Sequence, residues 1–195
     1  MKAYYFVFSA LLLNLALGEP TKVAVGIYFE SCCPDSQDFI VESFTPAYNT
    51  PGFTDIASIE MVPYGFEQYN ESNGGTYMYT CQHGPNECLG QRIESCVIDL
   101  EQYNAAAYIP FIMNLEIKLN AIGCYDEATC CDPTPYAQTV ANDLDMDWDA
   151  ISACVDSTQG DDAVLYQAQL TQQLSPSLSV MVVYPVYIIY MHIYI

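Results

Sequence analysis

Basic residues are scarce in this sequence: four Lys and Arg together stand against 24 Asp and Glu, a formal charge of −20. That balance excludes nucleic acid as a partner, because a phosphate backbone is held by the opposite charge. It also excludes a polybasic attachment to anionic lipid. The chain lacks an internal repeat, a phosphate-binding loop and any Ser-His-Asp arrangement, so repeat architectures, nucleotide sites and serine hydrolases are set aside. What is present is 52% hydrophobic and only 14% charged, too apolar for a disordered chain. Its 195 residues can enclose one core, with at most a subdomain beside it. The acidity reads as solubility, and it suits an acidic compartment where some carboxylates become neutral.

The N-terminus indicates the compartment. Lys2 supplies a positive start, Tyr4 to Leu17 is nearly all apolar, and Ala16-Leu17-Gly18 places small residues where a signal peptidase reads. Residues 1–18 are therefore read as a signal peptide, too short and wrongly flanked for a spanning helix. Nine cysteines follow: Cys32, Cys33, Cys81, Cys88, Cys96, Cys124, Cys130, Cys131 and Cys154. An oxidising compartment should pair most of them, and an odd number leaves at least one over. Asn70-Glu71-Ser72, followed by Gly74-Gly75, is a glycosylation sequon in what reads as a surface loop.

Lys22 to Phe29 reads as a buried strand. It runs into Cys32-Cys33-Pro34, and Pro34 suits the first turn of a helix that shows Phe39, Ile40 and Phe44 on one side. That helix is expected to end near Thr45, ahead of Pro46. A second strand is expected over Ile56 to Val62, closed by Pro63, which completes a βαβ start over 22–63. Residues 64–96 read as irregular. Over 97–174 the pattern is helical, with Pro110 dividing Val97–Tyr108 from a helix carrying Ile112, Leu115, Leu119 and Ile122, and Gly123 as its stop. Trp148, Ile151 and Val155 share the face of a later helix, and a last one covers Asp161 to Leu174. The stretch 177–195 is uncharged and rich in Val, Ile and Tyr. It reads as a membrane anchor of barely sufficient length, as a core strand, or as a translated non-coding stretch. Its Tyr/Ile/Met/His mix favours the third.

A cysteine at a strand end, with a helix starting at the next residue, sits in the positive field of that helix. The field favours thiolate, the nucleophilic form. Cys33 is in this position. Asp35 in the first turn works against the thiolate, and Ser36 stands where a Cys-x-x-Cys motif would carry its second cysteine. A hydroxyl there can hydrogen-bond a thiolate but cannot form a disulfide. The plain alternative is that Cys33 belongs to a structural disulfide.

Cys81-Gln82-His83-Gly84, then Glu87-Cys88 and Cys96, resembles the signature of the gamma-interferon-inducible lysosomal thiol reductase family. Gln91 stands where that signature has Asn. The resemblance extends through Tyr28-Phe29-Glu30, Val62-Pro63-Tyr64-Gly65 and the later cysteines to about Leu174. It implies an α/β, thioredoxin-like fold with a helical, disulfide-stapled insertion, over a thiol reductase-like domain 19–176. It also implies reduction of protein disulfides in the endosome or lysosome, or outside the cell. By position the nucleophile is Cys33 and the resolving position is Ser36. With serine there, release falls to an external small thiol such as glutathione or cysteine, with no bound cofactor; Cys32 is the substitute resolving thiol, through a strained vicinal ring. The family's C-terminal hairpin, with its proline beside the active site, is not recognisable, and Pro185 is its only stand-in. The rival reading is a weak or inactive secreted family member acting as a binding protein.

Two further patterns are set aside. Asp143, Asp145, Asp147 and Asp149 alternate like a calcium loop but lack its glycine and its closing Glu, so helix capping before Trp148 explains them better. Cys81, His83, Cys88 and Cys96 lack the short knuckle of a zinc site, so no metal is expected, and His83 reads as a hydrogen-bonding loop residue. Structural disulfides are expected among Cys81, Cys88, Cys96, Cys124, Cys130, Cys131 and Cys154. Cys130-Cys131, with Cys124 and Cys154, reads as a staple between helices. Disulfide-containing proteins are the expected partners, and a membrane is one only if 177–195 is an anchor.

Overall fold

The structure is a computed structural model that describes residues 22–71, 77–126 and 128–174. The expected signal peptide 1–18, the tail 177–195 with Pro185, and Ser72 with Gly74-Gly75 lie outside the described residues.

Strand β1 (Val23–Phe29) pairs in parallel with β2 (Ala57–Pro63), Val23 opposite Ala57 and Phe29 opposite Pro63. Along β2, Ala57, Ile59 and Met61 are buried while Ser58 and Glu60 face out, the period-two pattern of a half-covered sheet. Between the strands run α1 (Pro34–Phe39), a π-helical turn over Ile40–Phe44, α2 (Thr45–Tyr48) and α3 (Phe53–Ile56). The helix does not stop ahead of Pro46 as expected. Thr45 N–H reaches back five residues to Ile40 O. That widened turn lets Pro46 open a fresh helical turn, where its missing N–H costs nothing.

The region read as irregular is largely ordered. Strands β3 (Gln68–Glu71) and β4 (Tyr77–Thr80) form an antiparallel hairpin, with the rings of Tyr69 and Tyr79 6.2 Å apart. Asn70 is exposed, on strand β3 rather than in a loop. Helix α4 (Pro85–Leu100) begins twelve residues earlier than the expected start at Val97. The break after it falls at 101–104, where Gln102 and Tyr103 take positive φ (53° and 60°) and Tyr103 packs edge-on against Tyr166. Pro110 lies inside α5 (Ala105–Ala121) instead of dividing two helices. Its missing N–H leaves the Ala106 carbonyl without its usual donor, a cost outweighed by the burial of Ile109, Phe111 and Ile112 around it.

Helices α6 (Thr134–Asp143), α7 (Trp148–Val155) and α8 (Thr158–Gln172) complete the described chain. Asp147 caps α7 by accepting the Ala150 N–H at 3.1 Å, the capping role expected for the aspartate run. The core lies between the sheet and α4–α5: Ile27, Phe29, Ile59 and Met61 meet Ile93, Val97, Ile109, Phe111, Ile112, Leu115 and Leu119. Each such side chain contributes about 1.5–3 kcal/mol by leaving water. Among the described residues, no helix is long and apolar enough to cross a membrane.

Four disulfides fasten this frame: Cys32–Cys130, Cys81–Cys88, Cys96–Cys154 and Cys124–Cys131. Cys130 and Cys131 therefore diverge rather than stapling helices together, and Cys154 joins α7 to α4 through the fully buried Cys96. That bridge spans 58 residues. Replacing Cys96 and Cys154 together by Ala is expected to lower the unfolding free energy by about 3–4 kcal/mol, measured by urea unfolding.

Candidate active site

Everything around Cys33 turns on the short segment Glu30–Pro34, which leaves β1 and enters α1. Cys33 has extended backbone (φ −75°, ψ 120°) at the N-cap of α1. Its N–H donates to Glu30 O at 3.2 Å, and its own carbonyl accepts the Gln37 N–H at 3.0 Å. Cys33 is also the free cysteine, and it is half-buried. Ser36 sits one turn into α1, and its Oγ accepts the Glu30 N–H at 3.3 Å.

The segment is held from every side. From α1, Gln37 Nε2 donates to Ser31 O at 2.7 Å and to Cys124 O at 3.1 Å. Ser31 Oγ donates to Glu116 Oε1 of α5 at 3.0 Å. Asp126 N–H donates to Cys32 O at 2.8 Å. Two glycines permit close approach. A Cβ on Gly65, which has φ +52°, would lie 2.3 Å from Glu30 Cγ, and one on Gly90 would lie 2.4 Å from Ser31 Oγ. Only glycine lets the β2–β3 loop and α4 press this tightly on the segment.

Cys32 was expected as a substitute resolving thiol. Instead it is bonded to Cys130 and 1% exposed. Its side chain points into the protein, so it is spoken for in this state and Ser36 has no thiol substitute at hand.

The signature loop closes over the other end of the segment. Cys81 and Cys88 bond each other, bracketing Gln82, which is exposed, and Gly84, which precedes α4. Cys96 belongs to the α4–α7 bridge, away from this loop. Glu87 is fully buried; its Oε1 accepts the His83 N–H at 3.0 Å, and its Oε2 contacts His83 Nδ1. His83 Nδ1 also lies 3.9 Å from Glu30 Oε2, while Glu30 Oε1 accepts the Phe66 N–H at 2.8 Å. His83 is thus a hydrogen-bonding loop residue, as its sequence context suggested. The donor atoms of Glu30, His83 and Glu87 lie within 4.8 Å of one another, but these mutual contacts already occupy them. The sulfurs named in the discarded zinc pattern are held in disulfides. Gln91, in place of the signature Asn, donates through Nε2 to Tyr64 O at 3.2 Å and so ties α4 to the β2–β3 loop.

The electrostatics differ from the expected thiolate-favouring site. Burial pushes the Cys33 thiol above its ordinary range, opposed by hydrogen bonds from Ser36, and the charge of Glu30 pushes it further up. A six-residue helix does not outweigh that desolvation. Burial, then Glu87, raises Glu30 to about 7 against the pull of the Phe66 N–H and His83. Glu67, buried with Oε2 unpartnered, is raised to about 9 by burial and by Glu87 and Glu30. His83 is raised by its hydrogen bond to Glu87, against the opposing effect of burial.

Beneath the site, Glu94 of α4 and Glu116 of α5 are fully buried and face each other. Burial raises both well above the carboxylate range, Glu116 to about 8. Neither Glu94 oxygen has a donor, so only a proton held between the two makes their contact a hydrogen bond. The sequence shows Glu30 only as part of the Tyr28-Phe29-Glu30 resemblance, with no role, and does not single out Glu67, Glu94 or Glu116. Glu116 carried a signal, since it lies four residues from Ile112 on the apolar face of its helix. An open groove of about 700 Å³, lined by Gly26, Tyr28, Glu60 and Tyr103 among others, lies apart, with neither Cys33 nor the signature loop in its wall.

A parallel βαβ unit with its free thiol at the strand-to-helix junction is the layout of an α/β protein that presents a sulfur at the carboxyl end of a strand. The chain belongs to the gamma interferon inducible lysosomal thiol reductase family, whose sequence profile matches residues 24–134. A gamma-interferon-inducible lysosomal thiol reductase-like protein of Anopheles gambiae is 33% identical over 81% of this chain and 64% of its own. GILT-like protein 1 of Drosophila melanogaster is 30% identical over 81% and 63%. The gamma-interferon-inducible lysosomal thiol reductase of Carassius auratus is 31% identical over 79% and 55%. The chain thus spans 55–64% of the length of these three relatives. A solved structure from Nitrosomonas europaea, provisionally named a protein disulfide isomerase, aligns with TM-score 0.47 and 13% identity over 78% of this chain and 79% of its own.

Raised carboxyl groups make stability depend on pH in an unusual direction. Glu30, Glu67, Glu94 and Glu116 bind protons more tightly folded than unfolded, where a Glu titrates near 4.3. Their contribution is fully present below about pH 4.3 and is lost as pH rises through 7 to 9. The melting temperature is therefore expected to be higher at pH 5 than at pH 8, by roughly 5 °C or more. In scanning calorimetry, Glu94→Gln should flatten that dependence.

Proposed function

We propose that this protein reduces disulfides in protein substrates by monothiol exchange from Cys33, within the secretory pathway, in the lysosome or endosome or outside the cell. The observation that carries the reading is the single free, half-buried thiol at the junction of β1 and α1, with the other eight cysteines paired. The family supports thiol reductase chemistry, and the names of the relatives support the lysosome.

Cys33 thiolate attacks one sulfur of a substrate disulfide. A mixed disulfide forms, the substrate S–S bond breaks, and the departing sulfur leaves as a thiolate that takes up a proton. Ser36 supplies hydrogen bonds to the Cys33 sulfur and lowers the cost of its charge. It cannot attack the mixed disulfide, and Cys32 is engaged with Cys130. An external thiol such as glutathione or cysteine attacks that bond, returns Cys33 to the thiolate and departs bound to the substrate sulfur. A second external thiol then frees the substrate. Electrons come from the small thiol throughout, and no bound cofactor takes part. Nucleic acid has no place in this chemistry, given the charge of −20.

The test is reduction of a protein disulfide by the purified chain with excess glutathione from pH 5 to 7.5. Cys33→Ser is expected to fall to the rate of glutathione alone, and a Cys33→Ser protein with full activity would end the reading. Ser36→Cys should restore internal release. At low glutathione its turnover should exceed that of the natural chain roughly tenfold, because an intramolecular thiol acts at a far higher effective concentration. A chain inactive with and without Ser36→Cys would instead indicate a binding protein built on the same frame.

A further inference from the structure

We infer that Cys81–Cys88 is a second thiol-exchange centre, separate from Cys33, whose disulfide is opened by small thiols of the glutathione or cysteine class while the other three bridges stay closed.

Depth singles out this bridge. Each of the other three has at least one residue closed off from solvent: Cys32 is 1% exposed, Cys96 0% and Cys124 2%. Cys81 and Cys88 are both half-buried, so a small thiolate has access to them. A separation of seven residues also constrains the unfolded chain little, and opening this bridge costs less stability than opening one that spans 58 or 98. The loop has other holds that survive reduction. His83 N–H donates to Glu87 Oε1 at 3.0 Å, and Asn86 Nδ2 donates to Cys130 O at 2.9 Å.

The surroundings suit the thiol form better than the disulfide. Gln91 is fully buried, and its Nε2 is committed to Tyr64 O. Its Oε1 lies 3.3 Å from Cys81 Sγ and has no other donor among the described residues. A disulfide sulfur has no proton to give, so this contact becomes a hydrogen bond only when Cys81 is a thiol. Glu67 stands beside the same bridge. It is 5% exposed, and a carboxyl oxygen of it lies within 4.8 Å of both sulfurs. Its Oε2 has no hydrogen-bond partner among the described residues. A buried polar atom left unsatisfied costs free energy, and reduction lowers that cost by supplying S–H donors. Burial raises Glu67 to about 9, so the carboxyl holds a proton at neutral pH and can yield it to a departing sulfur.

A small thiolate attacks Cys88 Sγ, the Cys81–Cys88 bond breaks, and Cys81 Sγ leaves with the electron pair and takes the Glu67 proton. Gln91 Oε1 then accepts the new Cys81 S–H. A second small thiolate attacks the small-thiol sulfur of the mixed disulfide on Cys88. The small-molecule disulfide forms, and Cys88 departs as a thiolate that takes a proton from water, as Glu67 does. Two small thiols are oxidised and one protein disulfide is reduced.

The experiment equilibrates the oxidised full chain in glutathione buffers of graded reduced-to-oxidised ratio at pH 7, traps free thiols with N-ethylmaleimide and reads each cysteine by peptide mass spectrometry. Cys81 and Cys88 should be alkylated together at ratios that leave Cys32–Cys130, Cys96–Cys154 and Cys124–Cys131 closed. Gln91→Leu should lower the equilibrium constant for opening about three- to tenfold, the effect of one hydrogen bond made only by the thiol. Glu67→Gln should slow opening by roughly tenfold or more, the effect of losing an acid beside the leaving sulfur. Cys33→Ser should open the bridge as the natural chain does, so a chain without reductase turnover leaves this inference standing. A bridge that opens only together with the other three, or only when Cys33 is present, would overturn it. An equilibrium unmoved by Gln91→Leu and a rate unmoved by Glu67→Gln would overturn it equally. Should either variant fail to fold, the order of opening in the natural chain decides.

Discussion

Burial of the Glu30 side chain between Gly65 and the Cys81–Cys88 loop is the constraint on which the site depends. The segment from Glu30 to Pro34 lies outside the β1–β2 ladder and carries the chain from a strand into a helix. Left to its own hydrogen bonds it would adopt many conformations. It adopts one because the Glu30 carboxyl is anchored on one side, Ser31 is hydrogen-bonded to Glu116 and pressed by Gly90 on another, and Cys32 is bonded to Cys130 on a third. Cys33 is the residue left over by that clamping, held in place while its sulfur remains free.

The same clamping brings carboxyl groups inward in a chain that already repels itself. Glu30 and Glu87 flank His83, Glu67 lies buried near both of those carboxyls, and Glu94 and Glu116 meet in the core. In water at neutral pH this is an expensive arrangement, since each ionised carboxyl must forgo hydration and tolerate like charges. In acid Glu30, Glu67, Glu94 and Glu116 take up protons and that cost falls. The placement of these residues makes the folded state more stable where protons are plentiful.

The disulfide network divides labour by depth. Cys96–Cys154 holds α4 to α7 in the helical part, while Cys32–Cys130 and Cys124–Cys131 tether the active segment and the end of α5 to the stretch before α6. Because Cys32 is committed to this frame, the residue next to the free Cys33 acts as an anchor. Catalysis, on the proposed reading, is left to a single sulfur with a hydroxyl one turn away.

Much of this was legible in the residues alone. The alternation of Ala57, Ile59 and Met61 gave away a strand, Cys33-Pro34 marked the strand-to-helix junction, and the spacing of Cys81, His83, Glu87 and Cys88 placed the chain in its family before any geometry was known. These are local patterns, and local sterics or spacing carry them. Helix limits at Pro46 and Pro110 were misjudged because a proline tolerates a π-helical turn or an early helical position when neighbouring elements supply the packing. The pairing of the cysteines, the commitment of Cys32, the meeting of Glu94 with Glu116 and the convergence of Glu30, His83 and Glu87 were decided only by tertiary structure. Each joins residues dozens of positions apart, and whether a carboxyl is solvated or buried, or a thiol free or paired, depends on what the folded chain sets beside it.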